Sequence, residues 1–198
     1  MAYFTLLLVL LGTIGGAISY EANAALPGDP LYVYKISVNE EIEKFVANTD
    51  ESRARWDLYT LTERLKEAQV LAQHDHLDAV AQTEVTHAIN EHVRSLTATI
   101  NRFQQSNNND AAVQVASNTY DTLSAQEKKI ASASSLGSAS LQIELAPVLV
   151  TLRTSLATMS LISTKAHART ITDTHLADAT ITSAPDLQAT QPSVRYFR

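Results

Sequence analysis

The feature that most constrains the fold is a narrow apolar stripe along residues 51–73. Apolar side chains recur there at spacings of three and four residues: Ala54, Leu58, Leu61, Leu65, Ala68 and Ala72. This period places all of them on one side of an α-helix, in a pattern close to the heptad seam of a coiled coil. Such a stripe has to be covered by other helices, which come either from the same chain or from a second copy.

A helix is also predicted immediately before this one. It should begin with Asp29 as its N-cap and Pro30 at the first helical position, and it should end near Ala47. Its apolar side is predicted to consist of Leu31, Tyr34, Val38, Ile42 and Phe45.

Two more helices are predicted after the stripe. The third should extend to about Gln105, and the fourth should be capped by Asp110. The inner side of the third is predicted to be Leu77, Ala81, Val85, Ala88, His92, Leu96 and Phe103. The fourth carries Ala112, Ala116, Leu123 and Ile130.

A stretch of small residues precedes the last predicted helix. Residues 132–140, around Gly137, are interpreted as a loop or hinge. Pro147 should kink the last helix or reset its start, and Glu144 and Arg153 argue against its spanning a membrane. Its apolar stripe is Leu141, Leu145, Val148, Leu152, Leu156 and Met159.

These patterns, with only five glycines and five prolines, predict an all-α fold. We expect an antiparallel bundle of four to five helices over residues 25–168, preceded by an N-terminal apolar helix. Residues 169–198 have no usable period and are predicted to form a disordered tail.

The first 24 residues are predicted to be a signal peptide or a membrane anchor. Residues 3–20 carry no charge, and their length falls between a signal-peptide core and a full span of about 20 residues. Ala22 and Ala24 have the spacing of a signal peptidase site, with Ala25 as the new N-terminus, which favours cleavage. Against cleavage, no Lys or Arg precedes the apolar block. The acidic Glu21 after the block suits a flank outside the cytoplasm.

Composition and missing motifs exclude several function classes. A net charge of −6 without clustered Lys or Arg argues against a nucleic-acid partner. The absence of cysteine excludes disulfides, thiolate metal sites and cysteine nucleophiles. No phosphate-binding loop, nucleophile elbow or zinc-protease helix motif occurs, so we expect no enzyme activity, catalytic residue or cofactor. The pairs Glu40-Glu41 and Glu63-Arg64 are interpreted as surface charge.

Two stretches resemble a known family. Ala25-Leu26-Pro27-Gly28-Asp29-Pro30-Leu31-Tyr32 with Lys35 resembles the LPGD-x-LYP-x-K opening of a bacterial exported helical domain family of unknown function. Val33 stands where that family usually has proline. Glu63-Arg64-Leu65-Lys66-Glu67-Ala68 is similar to its charged RL-x-EA stretch. The resemblance covers residues 25–103 and implies an extracytoplasmic helical domain that is secreted or tethered to a membrane.

Histidines supply the only candidate metal ligands besides carboxylates, and they are weak candidates. His74 and His76 flank Asp75 in a predicted interhelical loop and could bind zinc, copper or nickel, with His87 as a possible addition. The spacing of Glu84, His87 and Glu91 places them on one helix side, which we interpret as solvated. His92 falls in the apolar stripe and is expected to be a hydrogen-bonded neutral imidazole.

Trp56, Tyr59 and Val70 lie off the seam of the second helix on a second patch, which is expected to pack under another element. The alternative is a contact surface, for which Trp56 and Tyr59 are the candidates. The favoured function is a noncatalytic binding or structural module of the bacterial envelope, anchored in the membrane or secreted. Its partner would be an envelope protein or a second copy. The alternative is a periplasmic metal-binding or metal-sensing protein that uses the histidines.

Overall fold

The protein is described by a computed structural model that covers residues 17–182, with side chains as far as residue 172. Within this range it contains six helices and no strand. Residues 17–23 form α1 and residues 32–46 form α2. The longer helices are α3 (Asp50–Gln73), α4 (Ala79–Gln105), α5 (Asn109–Leu136) and α6 (Ala139–Thr182). The predicted all-α bundle is confirmed, whereas residues 1–16 of the predicted N-terminal helix lie outside the described range.

Helices α3 to α6 form the bundle, and short connections make successive helices antiparallel. Arg102 near the end of α4 pairs with Asp50 at the start of α3, at 2.7 Å. Arg169 of α6 donates to Gln104 of α4 at the same end of the bundle. The core between the helices is built from large aliphatic side chains that are fully buried: Leu61, Leu65, Ile89, Leu96, Ile100, Leu123, Ile130, Leu145, Leu152 and Met159.

The predicted seam of α3 lies in this core. Ala54, Leu61, Leu65, Ala68 and Ala72 are buried, and Leu58 packs against them while partly exposed. The seam therefore faces α4, α5 and α6 of the same chain. The predicted stripe of the last helix is also confirmed, since its members are buried or packed on the core.

Side-chain caps set where the bundle helices begin. The Thr49 hydroxyl accepts from the Ser52 amide at 3.1 Å, and the Ser52 hydroxyl accepts from the Thr49 amide at 3.0 Å. Asp78 caps α4 by accepting from the Val80 and Ala81 amides. The cap of α5 is Asn108 and not the predicted Asp110, because the left-handed backbone of Asn107 turns the chain two residues earlier.

The predicted start of the first helix is wrong. Asp29 accepts from the Leu26 amide within a turn that Gly28 makes possible with φ of +97°, and helical structure begins only at Tyr32. Helix α2 has an α-helical turn (Tyr32–Tyr34), a π-helical stretch (Lys35–Glu40) and a last α-helical part (Glu41–Val46).

The predicted apolar side of this helix is also wrong. Tyr32, Lys35 and Asn39 are buried, whereas the predicted inward residues Leu31, Ile42 and Phe45 are exposed. The π-helical stretch changes the number of residues per turn, so a constant helical period does not predict which residues face inward. In addition, α3 presents charged groups at this contact, which favours polar partners.

Two predicted boundaries near the C-terminus differ from the structure. Residues 132–136, predicted as loop, continue α5, and the break occurs at Gly137. Helix α6 continues past the predicted boundary at residue 168 to Thr182, and residues 183–198 of the predicted tail lie outside the described range. Pro147 lies inside α6 and is exposed.

Within residues 17–172, one helical stretch is long and apolar enough to cross a membrane, namely residues 139–172 of α6. A core helix of a soluble bundle passes the same test of length and composition. Leu145, Val148 and Leu152 are buried in the bundle core, and Arg153 pairs with Glu127 of α5 at 2.9 Å. One side of α6 therefore packs in the bundle core, whereas only 33% of its most apolar stretch is buried in all.

Candidate binding groove

A buried cluster of charged side chains joins α2 to α3. Lys35 Nζ lies 2.5 Å from Glu67 Oε1, and Arg64 pairs with both Glu67 and Glu40. Arg64 also donates to the Tyr32 hydroxyl at 2.8 Å, and its guanidinium carbon lies 5.3 Å from the centre of the Tyr32 ring. Two cations and two carboxylates balance, so the cluster, which we call the ion lock, carries no net charge.

Because the ion lock is buried, the pairing of its charges has a large effect on the free energy of unfolding. Lys35, Arg64 and Glu67 each expose less than a tenth of their surface. Charges in such a place are tolerated only when paired and hydrogen-bonded, because desolvation of each ion costs several kcal/mol. Burial, and secondarily the Glu67 carboxylate, raises the pKa of Tyr32 well above its usual range, so the hydroxyl stays protonated.

The ion lock consists largely of the two stretches that carry the family resemblance. Tyr32 and Lys35 belong to the opening stretch, and Arg64 and Glu67 belong to the charged stretch of α3. The interpretation of Glu40 and Arg64 as surface charge is therefore wrong, because Arg64 is buried and the two side chains pair with each other where α2 packs on α3. The role of this part of both stretches is to fasten α2 to the bundle.

A groove with a volume of about 480 Å³ lies beside the ion lock, between α2, α3 and α4. Its lining mixes charges of both signs with aromatic side chains. The charged lining residues are Glu40, Glu41, Lys44, Arg53, Asp57, Arg64, Glu84 and Glu91, and the aromatic ones include Tyr32, Trp56 and His92. A cavity of this size suits a small ligand or a short peptide segment.

Asp57 organises one wall of the groove. It is almost fully buried, and its carboxylate accepts from the Ser95 hydroxyl at 2.6 Å and contacts His92 Nδ1 at 2.8 Å. The His92 ring meets Trp56 edge to face, with ring centres 5.4 Å apart. Within the described residues, the buried Trp56 Nε1 has no hydrogen-bond acceptor. His92 is thus held by hydrogen bonding, as expected, but it lies at the groove and not among the aliphatic core residues.

The two predicted contact residues, Trp56 and Tyr59, line two different cavities. Trp56 lines the groove and is partly buried, whereas Tyr59 is exposed and lines a small neighbouring pocket with Lys35 and Glu43. Glu40 borders both cavities. Burial, and secondarily the nearby Glu63 carboxylate, raises the pKa of Tyr59. The sequence identified both side chains but not the helix that packs beside them.

The candidate metal ligands are exposed. His74 and His76 lie in the connection between α3 and α4. His87 lies eight residues inside α4, about 12 Å along its axis from Ala79, and contacts Glu91 at 3.4 Å. Among the described residues, no group of three or more histidine, aspartate or glutamate side chains is arranged to hold a metal ion. Glu84, His87 and Glu91 are solvated, as expected, and border the groove.

Comparison with known families gives one match. The model of a family described as "Domain of unknown function (DUF5667)" matches residues 24–154, which run from the end of α1 into α6. No curated protein and no solved structure matches the chain. The match begins one residue before the start of the predicted resemblance and extends about fifty residues beyond its end.

Proposed function

Since the chain belongs to the DUF5667 family, whose description assigns no activity, we propose its function from geometry. We propose that it is a noncatalytic helical binding module of the bacterial cell envelope. A retained N-terminal apolar segment holds the module at the outer face of the membrane, and the groove beside Trp56 binds a polar segment of a partner.

The proposed tether rests on the hydrogen bonds and buried contacts that join α1 to the rest of the domain. Asn39 is buried, and its side-chain amide donates to the Ser19 carbonyl at 2.9 Å and to Asn23 Oδ1 at 2.7 Å. The Ser19 hydroxyl donates back to Asn39 Oδ1 at 2.8 Å. Ala22 is fully buried, and Ala25 offers its carbonyl to Lys35 Nζ at 3.2 Å.

Cleavage after Ala24 would remove most of these contacts. Asn39 would be uncovered to water and would lose the three hydrogen bonds that join it to Ser19 and Asn23, each of which contributes about 0.5–1.5 kcal/mol net. A new ammonium at Ala25 would also lie close to the ammonium of Lys35, because Lys35 contacts the Ala25 carbonyl. These costs support a segment that stays attached over a signal peptide that is removed.

The chain before α1 has the properties of an anchor. Residues 3–20 carry no charge, and 18 such residues are close to the length of a membrane span, although the last four of them belong to α1 and Ser19 among them is bonded to Asn39. The first charge after them is acidic, which suits the non-cytoplasmic side. A domain fixed to such a segment by buried hydrogen bonds is held near the bilayer surface.

The groove supports a binding role. Side chains from three helices line it, and its buried charged groups already have partners: Arg64 pairs with Glu40 and Glu67, and Asp57 accepts from Ser95 and contacts His92. Arg53, Glu84 and the exposed Lys44–Glu41 pair lie on the rim, where they would orient a ligand that carries charges of both signs. A short polar peptide segment fits this lining.

The tether is tested by intact mass on separated membrane and soluble fractions after export. We expect a full-length species in the membrane fraction. The matched control is Ala24→Leu, which removes the small residue that signal peptidase requires and so gives the uncleaved reference. If the wild type and Ala24→Leu are both full-length and both in the membrane fraction, the N-terminal segment is retained. A soluble wild-type species that begins at Ala25 would exclude the tether.

A further inference from the structure

Helix α2 turns its polar side to the bundle and its apolar side outward. The ion lock and Asn39 occupy the contact with α3 and α1. Phe45 is 86% exposed, Val46 70% and Ile42 59%, and the apolar side chain of Val33 is exposed as well. Water is a poor partner for such a group of side chains, which indicates that something else covers it.

The direction of α1 indicates what lies nearby. Lys35 contacts Ala25, whereas Asn39, one turn further along α2, contacts Asn23 and Ser19. Helix α1 therefore runs antiparallel to α2. Following α1 back towards residue 17 leads in the same direction as following α2 forward towards Val46, where the exposed apolar side chains are concentrated. The uncharged N-terminal segment thus joins the domain near the C-terminal end of α2, where these side chains lie.

We propose that the outward side of α2, centred on Ile42, Phe45 and Val46, lies in the headgroup region of the bilayer in which the N-terminal segment is anchored. This inference rests on the proposed tether and adds a second membrane contact to it. Helices with an apolar side of this kind insert it about 5–10 Å into the boundary between headgroups and acyl chains. Tyr20 of α1, which is also exposed, is of the residue type enriched at this depth.

The charges around the surface define the kind of lipid. Glu41 and Glu43 alternate with the apolar residues, and Lys44 pairs with Glu41 at 3.2 Å, so the surface has a net negative charge. Anionic headgroups would repel it, whereas zwitterionic phosphatidylcholine would not. We therefore expect the contact to depend on apolar insertion and to change little with ionic strength.

The absence of cysteine makes a clean test possible, because one introduced cysteine can carry a nitroxide label. The full chain is reconstituted into phosphatidylcholine vesicles with the label at Val46→Cys. Val80→Cys on α4 and Leu136→Cys on α5 are matched controls, since these residues are 67% and 88% exposed and lie outside the apolar stretch of α6. Collision of each label with oxygen, which concentrates in lipid, is compared with collision with a water-soluble nickel chelate.

We expect the ratio of oxygen to nickel collisions to be severalfold higher at Val46 than at both controls. Ile42→Ser together with Phe45→Ser should lower the ratio at Val46 to that of the controls, while both residues are exposed enough for the fold to tolerate the change. A water-like ratio at Val46 in a chain that stays full-length and membrane-bound would overturn this inference and leave the tether intact. If the Val46 labels of two copies lie close together and their ratios of oxygen to nickel collisions are water-like, a second copy covers this surface, and the inference is overturned.

Discussion

Replacing Glu67 by methionine tests whether the ion lock holds α2 on the bundle. Glu67 is the carboxylate shared by Lys35 and Arg64, and it is also the acceptor nearest to the Tyr32 hydroxyl. The substitution keeps the approximate volume but leaves two buried cations with Glu40 as the only carboxylate of the cluster. One unit of positive charge is then uncompensated in a buried place.

Removing one partner of a buried ion pair typically costs about 3–5 kcal/mol, which is a large share of the roughly 5–15 kcal/mol that stabilises a domain. With a urea dependence of about 2 kcal/mol per molar, the unfolding midpoint should fall by about 2 M. Adding Lys35→Met removes the uncompensated cation and leaves Arg64 paired with Glu40. The double variant should therefore be more stable than Glu67→Met alone, because apolar replacement of a buried pair is often close to neutral.

Urea unfolding of the full chain in mild detergent measures both effects, by helical circular dichroism and by the fluorescence of Trp56, the only tryptophan. Glu63→Met is the matched control on the same helix, since Glu63 pairs with the exposed Lys66 and such surface pairs contribute at most about 1 kcal/mol. The reasoning fails if Glu67→Met is as stable as Glu63→Met. It also fails if the double variant is less stable than Glu67→Met.

Two further predictions concern the core and Tyr32. Leu61→Asp should unfold the bundle, because Leu61 is fully buried and an unpaired buried charge costs several kcal/mol. The control is Leu136→Asp, which should change stability by no more than about 0.5 kcal/mol because Leu136 is 88% exposed. Equal melting of the two by circular dichroism would refute the seam assignment. The pKa of Tyr32 is raised in the folded chain, so above pH of about 10 the folded chain keeps a proton that the unfolded chain releases. The free energy of unfolding should therefore fall as pH rises further, by up to about 1.4 kcal/mol per pH unit. Tyr32→Phe should flatten this dependence in urea titrations, and an unchanged slope would contradict the burial of the hydroxyl.

The predictions from periodicity held where helices pack through aliphatic side chains. The seam of α3, the inner residues of α5, the stripe of α6 and most of the inner residues of α4 were identified from spacing, because the helical repeat sets which side chains share one side. In α4, Ala88 and His92 line the groove and not the aliphatic core. The first helix failed because its contact is polar. No period distinguishes a lysine that will be paired and buried from one that stays in water, since the partner lies 32 residues away on another helix.

The candidate groove was likewise predicted only in part from the sequence. The sequence indicated Trp56, Tyr59 and the histidines as unusual side chains, and it indicated that α3 would present Trp56 away from the core. Which of them meet at one surface depended on where α2 crosses α3, and that crossing places Glu40 between Trp56 and Tyr59. His74 and His76 are only two residues apart in the sequence, yet their loop lies outside the groove.

The sequence by itself determined the helical class, most helix limits and the aliphatic core, because helix propensity, caps and apolar period act over a few residues. The uncharged N-terminal segment is likewise a property of the sequence alone. Only the tertiary structure decided that α2 buries its charges and exposes its apolar side, and that α1 is joined to α2 through Asn39. Those features depend on pairing between groups distant in the chain, whose desolvation is offset only when both partners arrive together.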